Sequence, residues 1–131
     1  MPIVPLFAAI LALLFFALSV RTLRLRHRLK IGLGDAGNSE MLRAVRVHSN
    51  FAEYVPLTLL LLFFAESLGA PAWAMLGLCS LLLLGRCSHA YGVSQPRENY
   101  NFRIAGMAMT FAALLASAAY VFWAYGLSLL G

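Results

Sequence analysis

The stretch RVHSNFAEYVPLTLLLLFFAESLG, residues 46–69, decides how the rest of the chain is read. Its second half is apolar enough to belong in a bilayer. Its first half sets Arg46, Asn50 and Glu53 about one helical turn apart at the entrance to that apolar run. A helix serving only as a lipid anchor has no use for an arginine, an amide and a carboxylate on one stripe, because polar groups at membrane depth are costly. Both halves have to be explained by one structure.

Working outward, the chain of 131 residues is 62% hydrophobic and 11% charged, against roughly half and a quarter in ordinary globular domains. Apolar stretches near about 20 residues recur along it, the length that crosses a bilayer as a helix. A soluble protein this small could not bury so much apolar surface. The sequence predicts an all-α, integral membrane four-helix bundle forming a single domain over residues 1–131, with helices at about 3–30, 39–68, 71–92 and 102–130.

The first stretch, MPIVPLFAAILALLFFALSV, has no positive residues ahead of its apolar run and no A-x-A-like cleavage site. It reads as a retained helix that continues through the basic tail RTLRLRHRLK. Turn chemistry follows in IGLGDAGN, and Asn38 or Ser39 is placed to cap the second helix. Pro56 removes a backbone hydrogen bond inside that helix and is expected to bend it. Gly69 and Pro71 end it. The polar run VSQPRENYN separates the third helix from a fourth rich in alanine and glycine, which permits close helix–helix approach.

The formal charge of +5 points to the membrane rather than to nucleic acid. The loop between helices one and two is flanked by Arg21, Arg24, Arg26, Arg28, Lys30 and Arg43, and the loop between three and four by Arg97 and Arg103. The connection between two and three has Glu66 at its edge and no Lys or Arg. The positive-inside rule therefore places the first and third loops in the cytoplasm and both termini outside. Cys79 and Cys87, eight apart with no C-x-x-C spacing, indicate neither a disulfide framework nor a metal site.

Arg43, Arg46, Asn50 and Glu53 are spaced three, four and three and share one helical face. Arg46 and Glu53 lie roughly 10 Å apart along the helix, at about 1.5 Å per residue. That matches a small extended zwitterion, with its carboxylate on Arg46, its peptide groups on Asn50 and its ammonium on Glu53. Arg86 and His89 share a face of the third helix at the same cytoplasmic level, with Tyr91 off that face, and Arg103 opens the fourth helix there. The surplus of positive charge points to an anionic ligand. The competing arrangement is internal neutralisation, Arg46 with Glu53 or Glu53 with Arg86, which would leave no vacancy. His48 is about half a turn off the stripe. Tyr54 suits an interfacial aromatic, and Trp73 and Trp123 suit a belt at the outer ends of helices three and four.

The run R-x-x-x-N-x-x-E-Y-x-P, here Arg46, Asn50, Glu53, Tyr54 and Pro56, resembles the second-helix signature of the MAPEG family, membrane-associated proteins in eicosanoid and glutathione metabolism. R-x-x-H at Arg86 and His89, the basic first loop and the order of four helices extend the resemblance over the whole chain, which is most similar to small bacterial members. The resemblance implies a homotrimer in the bacterial inner membrane with glutathione between subunits near the cytoplasmic face. By position, Arg46, Asn50, Glu53 and Tyr54 would grip the tripeptide with His48 beside them. Arg86, His89 and Tyr91 would contribute from the third helix, and Arg24, or Arg26 in its place, from the first. Arg103 would be the catalytic residue that holds the glutathione thiolate. The implied activity is a transferase or peroxidase acting on lipophilic electrophiles, with no metal. IAGMAMT after Arg103 holds no tyrosine, and position 93 is Val93 where some members carry one, which argues against eicosanoid synthesis. A non-catalytic lipid- or ligand-binding member is the alternative. A small multidrug transporter is a remote third, because its first helix would need a carboxylate and residues 1–20 have no charged side chain.

Overall fold

A computed structural model describes residues 1–130. Those residues form α1 (Val4–Leu29), α2 (Ser39–Ser67), α3 (Ala72–Ser94) and α4 (Tyr100–Leu130), all long and apolar enough to cross a membrane. The shortest, α3, has 23 residues, about 35 Å of helix at 1.5 Å per residue, against a hydrocarbon core of about 30 Å.

The helix ends follow local chemistry. α1 stops at Leu29 because Lys30 turns left-handed (φ 54°). Asn38 then caps α2, its Oδ1 accepting from the Met41 amide at 2.9 Å. α2 passes through Pro56 without interruption. The expected boundary between the last two helices was two residues off on each side. α3 runs on to Ser94, since nothing before Pro96 forbids helix, and α4 starts at Tyr100, where Asn99 Oδ1 accepts from the Asn101 amide.

Cross-helix contacts fix an antiparallel order. The Glu66 carboxylate, near the end of α2, accepts from the Ile3 and Val4 amides at the start of α1. Arg43, early in α2, donates to the Val93 carbonyl late in α3. Gly92 at the end of α3 packs on Phe102 and Arg103 at the start of α4. Hence the ends of α1 and α3 and the starts of α2 and α4 gather at one end of the bundle, here called the basic end. Among the described residues α2 contacts every other helix, whereas α1 and α4 do not meet. Leu11, Val47, Phe51, Leu62, Leu82 and Ala113 form the shared core.

α3 and α4 make the most extensive contact. A Cβ built on Gly106 would lie 2.6 Å from the His89 amide nitrogen and 2.7 Å from the Gly85 carbonyl oxygen. Both are backbone atoms, so only glycine lets the two backbones approach this closely.

Glu66 closes the opposite end. α1 has no side-chain cap of its own. A carboxylate from α2 therefore supplies acceptors to its orphan N–H groups and sits at the positive end of its dipole. Glu66→Ala is expected to destabilise the bundle by ~1–2 kcal/mol, the effect of deleting a charged cap. Thermal unfolding in detergent checks this, and Glu66→Gln, which keeps an acceptor, should lose less.

Candidate functional site

At the basic end, α2 and α4 open onto a cavity of about 340 Å³ lined by Arg43, Arg46, Glu98 and Arg103 together with Ser39 and Val93. α2 delivers Arg43 and Arg46 because the two are three residues apart. α4 delivers Arg103 from its first turn, in a register set three residues later by Gly106 against His89. The loop at 95–99 delivers Glu98, the single carboxylate of the lining.

Glu98 Oε2 accepts from Arg43 Nη1 at 3.2 Å, and Glu98 Oε1 lies 3.5 Å from Arg103 Nη1. Arg43 is fastened further by donating to the Val93 and Pro96 carbonyls. Arg46 makes no ion pair among the described residues. Neither neutralising pair weighed from the sequence, Arg46 with Glu53 or Glu53 with Arg86, is formed.

Arg86 has another use. Its side chain is 1% exposed and faces only neutral partners. Nη2 donates to Asn50 Oδ1 at 2.7 Å and Nη1 to Thr110 Oγ1 at 3.3 Å. Thr110 in turn donates to the Gly106 carbonyl. A guanidinium only donates, so the Asn50 oxygen must face it and the Asn50 NH₂ group points elsewhere. One buried, uncompensated cation thus links α2, α3 and α4. His89 is buried beside Gly106.

The remaining expected residues are placed separately. His48 Nε2 meets Ser19 Oγ at 2.9 Å and its ring stacks on Phe15, so it fastens α2 to α1. Ser19 donates its hydroxyl proton to the Phe15 carbonyl, which leaves His48 as the donor in this pair. Tyr54 is half-buried with its ring edge-on to Phe111 of α4. Glu53 is exposed on α2 and unpaired among the described residues. Tyr91 is exposed against Phe102, in keeping with its position off the Arg86–His89 face. Arg24 lines a different cavity, of about 270 Å³, with Arg21, Leu25, Arg28 and Glu40. Arg26 turns back to the Ile31 and Gly34 carbonyls. Glu98 and Thr110 were not anticipated. Glu98 left a trace in the sequence, as a lone carboxylate between Arg97 and Arg103; Thr110 left none.

The model of the MAPEG family matches residues 4–123, nearly the whole described chain. The chain belongs to the MAPEG family. Among curated proteins, this MAPEG chain is 39% identical over 111 residues to the inner membrane protein YecN of Escherichia coli K12, covering 84% of this chain and 82% of YecN. The YecN of Escherichia coli O6:H1 strain CFT073 matches equally well. With four helices of spanning length, the chain is an integral membrane protein, and its Arg46, Asn50, Glu53, Arg86, His89 and Arg103 lie on MAPEG helices two, three and four.

Proposed function

We propose that the protein is a glutathione-dependent transferase or peroxidase of a bacterial inner membrane, joining or reducing lipophilic electrophiles with a thiolate held by Arg103. The observation that carries this reading is the cavity at the basic end, where three guanidiniums face one carboxylate. That surplus fits a ligand with two carboxylates and an ionisable thiol. Arg46 lines the cavity without an ion pair among the described residues and is available for a carboxylate, and Arg103 lines the same cavity from the start of α4. Bound there, glutathione supplies the sulfur nucleophile. The thiolate is the reactive form and an adjacent guanidinium stabilises it. Arginine stays charged throughout and does not compete as a nucleophile.

The positive-inside rule puts the basic end, and the cavity, at the cytoplasmic face with both termini outside. The homotrimer of this reading is supported by Glu53 and Arg46, which are exposed on one side of α2. A core of about 30 Å ending at Ser67 begins near residue 48, so Glu53 lies inside it. Facing lipid, a carboxylate there is unfavourable by up to about 2.5–3.5 kcal/mol. A second copy of the chain over that face removes the penalty and completes the site.

Isothermal titration of the detergent-solubilised protein with glutathione, followed by a chlorodinitrobenzene conjugation assay, tests the reading. Binding and turnover are expected, and absence of both rejects it. One feature favours the second reading, a non-catalytic lipid-binding member: an apolar cleft of about 260 Å³ between α1 and α2, lined by Leu11, Phe15, Phe51, Val55 and Leu59 among others. That reading predicts co-purifying lipid in the cleft and no thiolate absorbance on adding glutathione.

A further inference from the structure

Glu98 lies in a surface connection, yet its side chain is only 8% exposed. Carboxylates are rarely buried unless paired. Here the pairing is lopsided. Toward Arg43, which is 28% exposed, Glu98 makes a hydrogen-bonded ion pair at 3.2 Å, and Arg43 is tied to the same loop through the Val93 and Pro96 carbonyls. Toward Arg103, which is 48% exposed, the approach is 3.5 Å without a hydrogen bond, and Glu98 Oε1 is inaccessible to water with no hydrogen-bond partner at all. Withdrawing from Arg103 therefore gives up a Coulombic contact and no hydrogen bond, whereas withdrawing from Arg43 would break a hydrogen bond and loosen the loop.

We propose that Glu98 is the resident counter-anion of the arginine cavity: it holds Arg43 in place permanently, yields Arg103 to an incoming anionic ligand, and so sets how strongly the site takes anions. The ligand class rests on the anionic-thiol reading above, whereas the Glu98–Arg103 contact does not. With Glu98 in place the lining carries three cations and one anion; neutralising it leaves three cations, with the loop still able to hydrogen-bond through an amide. Glu98 acts through Arg103 and is a positioning residue.

Glu98→Gln should tighten glutathione binding by up to about fivefold, the range of a partly exposed ion pair, and steepen its dependence on salt. Glu98→Asp should stay close to the parent chain. A carboxylate serving only to hold the loop would give weaker binding in Glu98→Gln, and one that grips the ligand's ammonium would do the same. Unchanged or weakened binding overturns the proposal. A second readout needs no glutathione. Phenylglyoxal labels arginines, and peptide mass spectrometry reports each position. In ligand-free protein, Glu98→Gln should raise labelling of Arg103 several-fold while leaving the exposed neighbour Arg97 unchanged; equal labelling of Arg103 in both chains overturns the proposal. In the parent chain, raising ionic strength screens the half-exposed arm and should raise Arg103 labelling relative to Arg97, with a flat response counting against Glu98. If glutathione binds neither chain, the ligand reading fails and the labelling still decides the role of Glu98.

Discussion

Arg103→Ala is expected to leave the bundle folded and glutathione bound while abolishing the thiolate. Arg103 is 48% exposed at the start of α4 and makes no hydrogen bond to Glu98, so its loss removes little that holds the helices together. Most of the affinity should remain, because Arg46, which makes no ion pair among the described residues, still offers positive charge to a ligand carboxylate, and the lining stays net positive with Arg43 paired to Glu98. The sulfur alone loses its cation. A free thiol titrates near 8.5 and is only a few per cent ionised at neutral pH. An adjacent arginine that makes thiolate the main species thus accounts for a factor of about 10–100 in reactive anion. Conjugation rates should fall by that factor with a modest change in KM. Arg103→Lys should recover part of it, keeping the charge but not the planar fork. Difference absorbance of the thiolate on adding glutathione is the direct check, and an undiminished signal in Arg103→Ala would overturn the assignment.

The second large effect concerns the fold. Gly106→Ala adds one methyl group 2.6 Å from the His89 nitrogen and 2.7 Å from the Gly85 oxygen, with backbone on both sides. Neither atom can move aside by a rotamer change, so α3 and α4 must separate. Overpacking of this kind destabilises by about 1–3 kcal/mol, and an unyielding backbone contact belongs at the upper end. The damage should reach the site, because Thr110 and Arg103 flank Gly106 on α4 and carry the Arg86 hydrogen bond and the cavity wall. Gly77→Ala and Gly126→Ala, where an added methyl group meets nothing within 4 Å, should be neutral or slightly stabilising. Denaturant unfolding in mixed micelles compares the three, and a Gly106→Ala protein as stable as Gly77→Ala would show that the close helix contact is not needed.

Much of this arrangement was legible from residues 46–69 and the charges around them. The three–four–three spacing set Arg43, Arg46, Asn50 and Glu53 along one helix, and the glycine and alanine content of the fourth helix allowed a close helix approach without naming the partner, which is α3. Spacing along one helix could not say which partner each side chain takes on another. Asn50 turns its oxygen to Arg86 instead of leaving both ends of its amide to a ligand, and His48 leaves the stripe for Ser19 and Phe15 of α1. Glu98 stood out only as a lone carboxylate between arginines; its burial and its partners were hidden because loop conformation carries no periodic signal. Its burial comes from Arg43 and Arg103, which precede and follow it on different helices.

A structure determined with glutathione present tests the central claim most directly. The account predicts the tripeptide in the cavity at the basic end, with a carboxylate on Arg46, the sulfur on Arg103, and Glu98 retained by Arg43 alone. Arginines fully neutralised by Glu98 and by Glu53 of a neighbouring copy, with no ligand between them, would contradict it.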